Sequence, residues 1–175
     1  AARRQDVAWI VLLAGTGVPG NQILLNQAER IARAAGAQAA DITLNRRLQQ
    51  VLFGTIKGGR TPNEVRGAFD KFVATLKPEE QQHAIVAASR AELSRLLEPW
   101  FRFFLTYDPG TALARVRCPV LVLNGDKDLQ VDPDLNLPAI QAALDRGGNE
   151  HYEIHRLPGL NHLFQQCETG LPGEY

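Results

Sequence analysis

The chain has no methionine, two serines, two cysteines and no net charge. Its 19 basic residues balance 19 acidic ones, which removes the electrostatic footprint that nucleic acid or an anionic membrane surface would select. No stretch approaches the ~20 consecutive apolar residues of a membrane span. The N-terminus lacks the basic-then-apolar pattern of a signal peptide. Cys118 and Cys167 are too far apart for a metal or redox motif. Cys118 reads as a small apolar group at the start of a strand; a disulfide and the redox compartment both stay open. Ser89 and Ser94 stand among Ala, Arg, Glu and Leu in a helical pattern, neither at a strand-to-helix elbow. The chain begins Ala1-Ala2-Arg3-Arg4 and runs straight into an apolar stretch, so it reads as a piece of a longer protein.

What is present is one domain's worth of core, 45% hydrophobic and 22% charged over 175 residues. Its organising stretch is Cys118-Pro119-Val120-Leu121-Val122-Leu123-Asn124-Gly125-Asp126-Lys127-Asp128. A short apolar run closed by turn residues predicts a strand buried on both faces of a parallel sheet. Gly125 permits a sharp exit, and Asp126 and Asp128 follow at the carboxyl end, where open α/β sheets collect their chemistry. Asp6–Leu13 is a second such run. His151–Leu157 alternates and predicts a strand nearer the edge. It leads into Leu157-Pro158-Gly159-Leu160-Asn161-His162, a strand end that delivers a histidine.

Between the first two strands the pattern is helical. Helices are expected from Asn21 to Ala35 with Gly36 after the end, and from Ala39 to about Ile56, closed by Gly58-Gly59. Thr61-Pro62-Asn63-Glu64 predicts a capping box opening a helix to about Leu76. Lys77-Pro78-Glu79-Glu80 opens a longer one through Ile85, Leu93 and Leu97, with His83 on its surface, until Pro99 breaks it. Trp100 to Tyr107 is the densest aromatic patch. Asp108-Pro109-Gly110 is a turn, Thr111–Val116 a helical link, Asn136–Leu144 a helix ended by Gly147-Gly148-Asn149. Leu163–Cys167 is expected to open a last helix. The strand order, with right-handed crossovers, gives about three adjacent parallel strands with flanking helices. The surplus helices, 39–107, are expected to form a cap over the carboxyl edge, leaving 1–38 and 108–175 as the core.

On these residues the sequence resembles the C-terminal part of the α/β-hydrolase superfamily, with the nearest likeness to bacterial serine esterases and serine aminopeptidase-like hydrolases. Val7–Gly20 is similar to the sixth strand and its loop, and 39–107 to the cap insertion. Cys118–Asp128 is similar to the seventh strand with its Gly-x-x-Asp acid turn, and Gly159-Leu160-Asn161-His162 to the Gly-x-x-His loop after the eighth. The resemblance implies hydrolysis of an ester, thioester or peptide-type acyl bond. Asp128 and His162 would be two members of a Ser-His-Asp triad. No cofactor and no metal are implied. The Gly-x-Ser-x-Gly elbow and the oxyanion loop precede the sixth strand in that superfamily and are not found here, so the chain alone is expected to be inactive. Gly15, Thr16, Trp100 and Phe104 are candidates for a pocket taking a small acyl substrate. The bare edge of the first strand is expected to drive self-association or pairing with a missing N-terminal half.

Plainer readings stand beside these. Asp126 is a rival acid, although a residue directly after a turn glycine more often bonds loop backbone. The aromatic patch also fits simple core. His151 and His155 share a strand face but lack a third metal ligand. Gly15-Thr16-Gly17-Val18-Pro19-Gly20 matches a dinucleotide fingerprint, with Asp41–Arg47 imitating a second strand that ends in an NADP-binding arginine pair. Against that NADP-dependent oxidoreductase reading, Pro19 has no N–H to donate, and Leu44-Asn45-Arg46-Arg47-Leu48 fits helical spacing. A non-catalytic interaction module on the same frame is the third alternative.

Overall fold

The computed structural model describes residues 1–4 and 6–175. In chain order the elements are β1 (Ile10–Leu13), α1 (Gly20–Ala34), α2 (Ala39–Lys57), α3 (Pro62–Ala74), α4 (Pro78–Gln81), α5 (Ala84–Leu96), α6 (Pro99–Thr106), α7 (Pro109–Leu113), β2 (Val120–Gly125), α8 (Pro133–Gly147) and β3 (Tyr152–Leu157). A 3₁₀ turn covers Pro172–Glu174. The chain divides into two compact units, one of Ala1–Ala34 with Asp108–Tyr175 and one of Ala35–Tyr107.

The first unit is a small α/β fold around a three-stranded parallel sheet in the order β1-β2-β3. The register pairs Ile10 with Val120 and Leu13 with Leu123, then Val120 with Tyr152 and Gly125 with Leu157. Alternation along the strands sends Val120 and Val122 onto one face, where they pack with Ile140, Ala143 and Leu144 of α8 and with Leu113 and Val116. Val122, Ile140 and Leu144 are fully buried, each worth about 1.5–3 kcal/mol of transfer free energy. The other face is open at β1: Trp9 and Leu13 are 65% and 62% exposed. The expectation of burial on both faces therefore holds for neither β1 nor β2, since Leu121 and Leu123 are only half-buried.

In α8 the Asp132 side chain accepts from the Asp134 amide (3.0 Å), so the helix starts at Pro133 rather than Asn136. Gly148, at φ 72, ends it in the left-handed region open to glycine. Asp132 also meets Arg30 of α1 at 3.2 Å. The Asp108 side chain accepts from Gly110 N, starting α7 inside the expected turn. Leu163–Cys167 forms no helix. Asn161 Oδ1 accepts from both Leu163 N (2.9 Å) and Gln165 N (3.0 Å), Phe164 takes φ 60, and Leu160 bridges Gln166. The left-handed backbone at Phe164 and the Leu160–Gln166 bridge turn the chain off a helical path.

The second unit is helical. Leu44, Leu48, Leu52, Phe53 and Ile56 of α2 are buried, and α2 packs against α3, α5 and α6. Thr61 and Glu64 form the capping box. The expected long helix from Pro78 is two helices, broken at Gln82-His83. No proline or glycine marks that break. The His83 ring caps α5 by accepting from Ile85 N (3.3 Å) while its Nε2 lies 3.2 Å from Asp41. His83 is therefore an N-cap rather than a mid-helix surface residue.

Candidate functional site

Two loops at the carboxyl ends of β2 and β3 cross one another. Gly125 ends β2 with its Cα against the backbone of the second loop; a β-carbon there would lie 2.1 Å from Leu160 O and 2.7 Å from Asn161 O. Only glycine permits that approach. Asp126 N donates to Leu157 O (2.9 Å) and Lys127 N to Leu160 O (3.1 Å), lacing the loops together. On this scaffold His162 Nδ1 lies 2.9 Å from Asp128 Oδ2.

Asp128 is wholly buried. Its Oδ1 accepts from Gln130 N and Val131 N, both at 2.8 Å. Its Oδ2 takes the histidine and Asn124 Nδ2 (3.1 Å). Four donors meet the four lone-pair directions of the carboxylate, which leaves it no freedom to rotate away from the ring. Asn124, also fully buried, bonds Gly125 O and Val131 O as well, closing the turn around the acid. The bond from Asp128 raises the His162 ring above its ordinary value; partial burial opposes it, and the carboxylate's charge adds to the rise. With Nδ1–H given to Asp128, the neutral ring keeps its Nε2 lone pair. That nitrogen has no hydrogen-bond partner among the described residues. Such a pair can accept a proton at Nε2 while the buried carboxylate steadies the resulting imidazolium.

The remaining candidates fall elsewhere. Asp126 is not the ring's hydrogen-bond partner; its Oδ1 accepts from Gly159 N at 2.8 Å. Gly15 and Thr16 lie half-buried in the loop after β1, within the sheet-bearing unit. Trp100 and Phe104 belong to α6 in the helical unit, where Trp100 is 58% exposed and Phe104 half-buried. Both rings contact Phe101, with centroids 5.2 and 6.0 Å away. Gly17 N donates to the buried Asn136 Oδ1 at 2.9 Å, and a β-carbon at Gly17 would strike Asn136 O at 2.5 Å. Gly17 thus fits the loop against α8, and Asp41–Arg47 are helical.

His155 pairs with Glu153 at 3.1 Å on β3. Among the described residues no three His, Cys, Asp or Glu side chains are placed to share a metal ion. Both cysteines are free. A groove of about 720 Å³, lined by Trp9, Val11, Pro119, Leu121, His151 and Glu153, lies at the amino ends of the strands, the opposite end from His162. No helix among the described residues is long and apolar enough to cross a membrane.

Sequence reasoning passed over Asn124 and Asn161. Asn124 is the penultimate residue of β2 and Asn161 precedes His162 in the loop after β3, and both are fully buried. A polar side chain directly after an apolar run is a sequence signal that points to Asn124; Asn161, after Pro158-Gly159-Leu160, carries none. No family model, no curated protein and no solved structure matches the chain.

Proposed function

We propose that this chain carries the acid and the base of a serine hydrolase of the α/β-hydrolase type. Its substrate class is a small ester, thioester or peptide-type acyl compound. The observation that supports this reading best is the 2.9 Å bond from His162 Nδ1 to a fully buried Asp128, at the carboxyl ends of adjacent parallel strands. In the reaction, His162 Nε2 takes the proton of a serine hydroxyl as that oxygen attacks the acyl carbon, then returns it to the leaving group. Asp128 holds the tautomer and stabilises the imidazolium. Ser89 and Ser94 lie inside α5, away from any strand-to-helix elbow, so the nucleophile and the oxyanion donors come from outside this sequence. In chain order the helical unit stands between α1 and α7, the place of a cap insertion in that superfamily. The bare β1 edge takes up a further strand, from a second copy or from the polypeptide that bears the nucleophile.

The test is to join or mix the chain with its upstream coding region and measure p-nitrophenyl ester hydrolysis. An elbow serine should react with a fluorophosphonate probe, and His162→Ala should lower kcat by roughly 10³-fold or more. Turnover indifferent to His162→Ala, or labelling of Ser89 or Ser94 in the chain alone, would remove the proposal.

A further inference from the structure

The segment that carries His162 is a closed loop with a knot at its base. Gly159, at φ 73, turns its N–H toward Asp126 Oδ1 (2.8 Å) while its carbonyl accepts from Cys167 N (3.0 Å). Beyond the histidine, Lys127 Nζ holds the carbonyls of Cys167 (3.1 Å) and Glu168 (2.7 Å). Two adjacent side chains of the acid turn, opposite in charge, therefore grip the histidine loop at its two ends. Asn161 shapes the loop from within, since its side-chain bonds go to Leu163, Gln165 and no residue of the acid turn. Apart from the His162–Asp128 bond itself, the other hydrogen bonds between the loops, Asp126 N to Leu157 O and Lys127 N to Leu160 O, run through backbone atoms.

We infer that Asp126 is a positioning residue: through the Gly159 amide its carboxylate sets the loop bearing His162 in register with Asp128. The physical reason is leverage. His162 is three residues past Gly159, and a hydrogen bond weakens steeply once donor and acceptor drift by a few tenths of an ångström or bend from line. An acceptor oxygen fixed at the base of the loop, 2.8 Å from the amide nitrogen, holds that amide in one place where water would not. Asp126 forms no hydrogen bond with the ring, whose Nδ1 goes to Asp128, so its hold on the ring's position runs through the loop. The role deepens the proposed function, because the positioned ring is the proposed base, but it is read without any catalytic assay.

The experiment follows the His162 ring by NMR titration in the 175-residue chain, with its signal assigned by loss in His162→Gln. Wild type, Asp126→Asn and Asp126→Ala are compared, together with hydrogen exchange at the Gly159 amide. Asparagine keeps an acceptor oxygen and loses the charge; alanine loses both. The wild-type ring should titrate above the ordinary value of about 6.5. Asp126→Asn should keep that position. Asp126→Ala should lower it by at least about half a unit, toward the ordinary value, and Gly159 should exchange at least ~10-fold faster. An unmoved ring in Asp126→Ala overturns the inference, and so does a fall in Asp126→Asn as large as in Asp126→Ala, because charge alone would then be the cause. Should the alanine variant fail to fold, an unprotected Gly159 amide in wild type, or a displaced ring in Asp126→Asn, overturns it equally. A ring that responds as stated in a protein whose extended form hydrolyses no acyl bond would sink the proposed function and leave Asp126 its role. An active hydrolase indifferent at His162 to Asp126→Ala would do the reverse.

Discussion

Replacing Asp128 by asparagine removes one carboxylate oxygen's worth of acceptor while changing almost no volume. Oδ1 can still serve Gln130 N and Val131 N, both at 2.8 Å. The new amide nitrogen then faces two donors, Asn124 Nδ2 and His162 Nδ1, which stood at 3.1 and 2.9 Å from Oδ2. Hydrogen bonds to a charged group contribute about 1.5–3 kcal/mol each. The half-exposed ring recovers part of its loss in water, and Asn124 keeps its bonds to Gly125 O and Val131 O. The expected destabilisation is therefore roughly 2–4 kcal/mol, nearer the lower end at alkaline pH.

The pH dependence has a definite sign. The folded ring titrates above its ordinary value because Asp128 favours the imidazolium. Below about 6.5 the ring is protonated in folded and unfolded chains alike, and the ion-pair contribution is fully present. As pH rises through the folded-state value the proton leaves and that contribution is lost. Urea unfolding of wild type and Asp128→Asn, followed by the amide signals of β2 at about pH 5.5 and about pH 8.5, should give a wider stability gap at the lower pH. A gap that is the same at both pH values, or below about 0.5 kcal/mol throughout, would refute the reasoning.

Three further outcomes are expected. Gly125→Ala sets a methyl group 2.1 Å from Leu160 O, so the loops must part; we expect a loss of at least ~2 kcal/mol in urea unfolding and a His162 ring that titrates at its ordinary value by NMR. NADPH titrated against the chain should leave cofactor fluorescence unchanged, since Gly17 N is already held by Asn136; saturable enhancement would restore the dinucleotide reading. Leu13→Lys, placed where the side chain is 62% exposed on the edge strand, should shift sedimentation toward monomer without lowering the melting temperature, whereas a wild type that is already monomeric at high concentration would contradict pairing through β1.

The strands and most helix ends were legible locally. Ile10–Leu13, Val120–Gly125 and Tyr152–Leu157 are apolar or alternating runs closed by turn residues, and no partner is needed to recognise them. Thr61-Pro62-Asn63-Glu64 announces its own capping box for the same reason, as every bond in it lies within one turn of helix. The Asp128 and His162 positions could be named from their places after strands and from a resemblance. The distance between them could not, because it depends on loops 34 residues apart in the chain.

What only the tertiary structure decided is where polar side chains spend their bonds. His83 divides a continuous helical pattern by capping α5 and reaching Asp41. Asn161 gathers the Leu163 and Gln165 amides into a loop in place of the expected helix, and Phe164 turns left-handed between them. Asp126, a rival acid by position, turns to the Gly159 amide instead of the imidazole. Composition and periodicity record which groups want water and which do not, so they mark the strands and most of the helices. A hydrogen bond is directional and is satisfied by whichever partner the folded chain brings within about 3 Å, and that partner is a property of the loops' crossing, not of either loop alone.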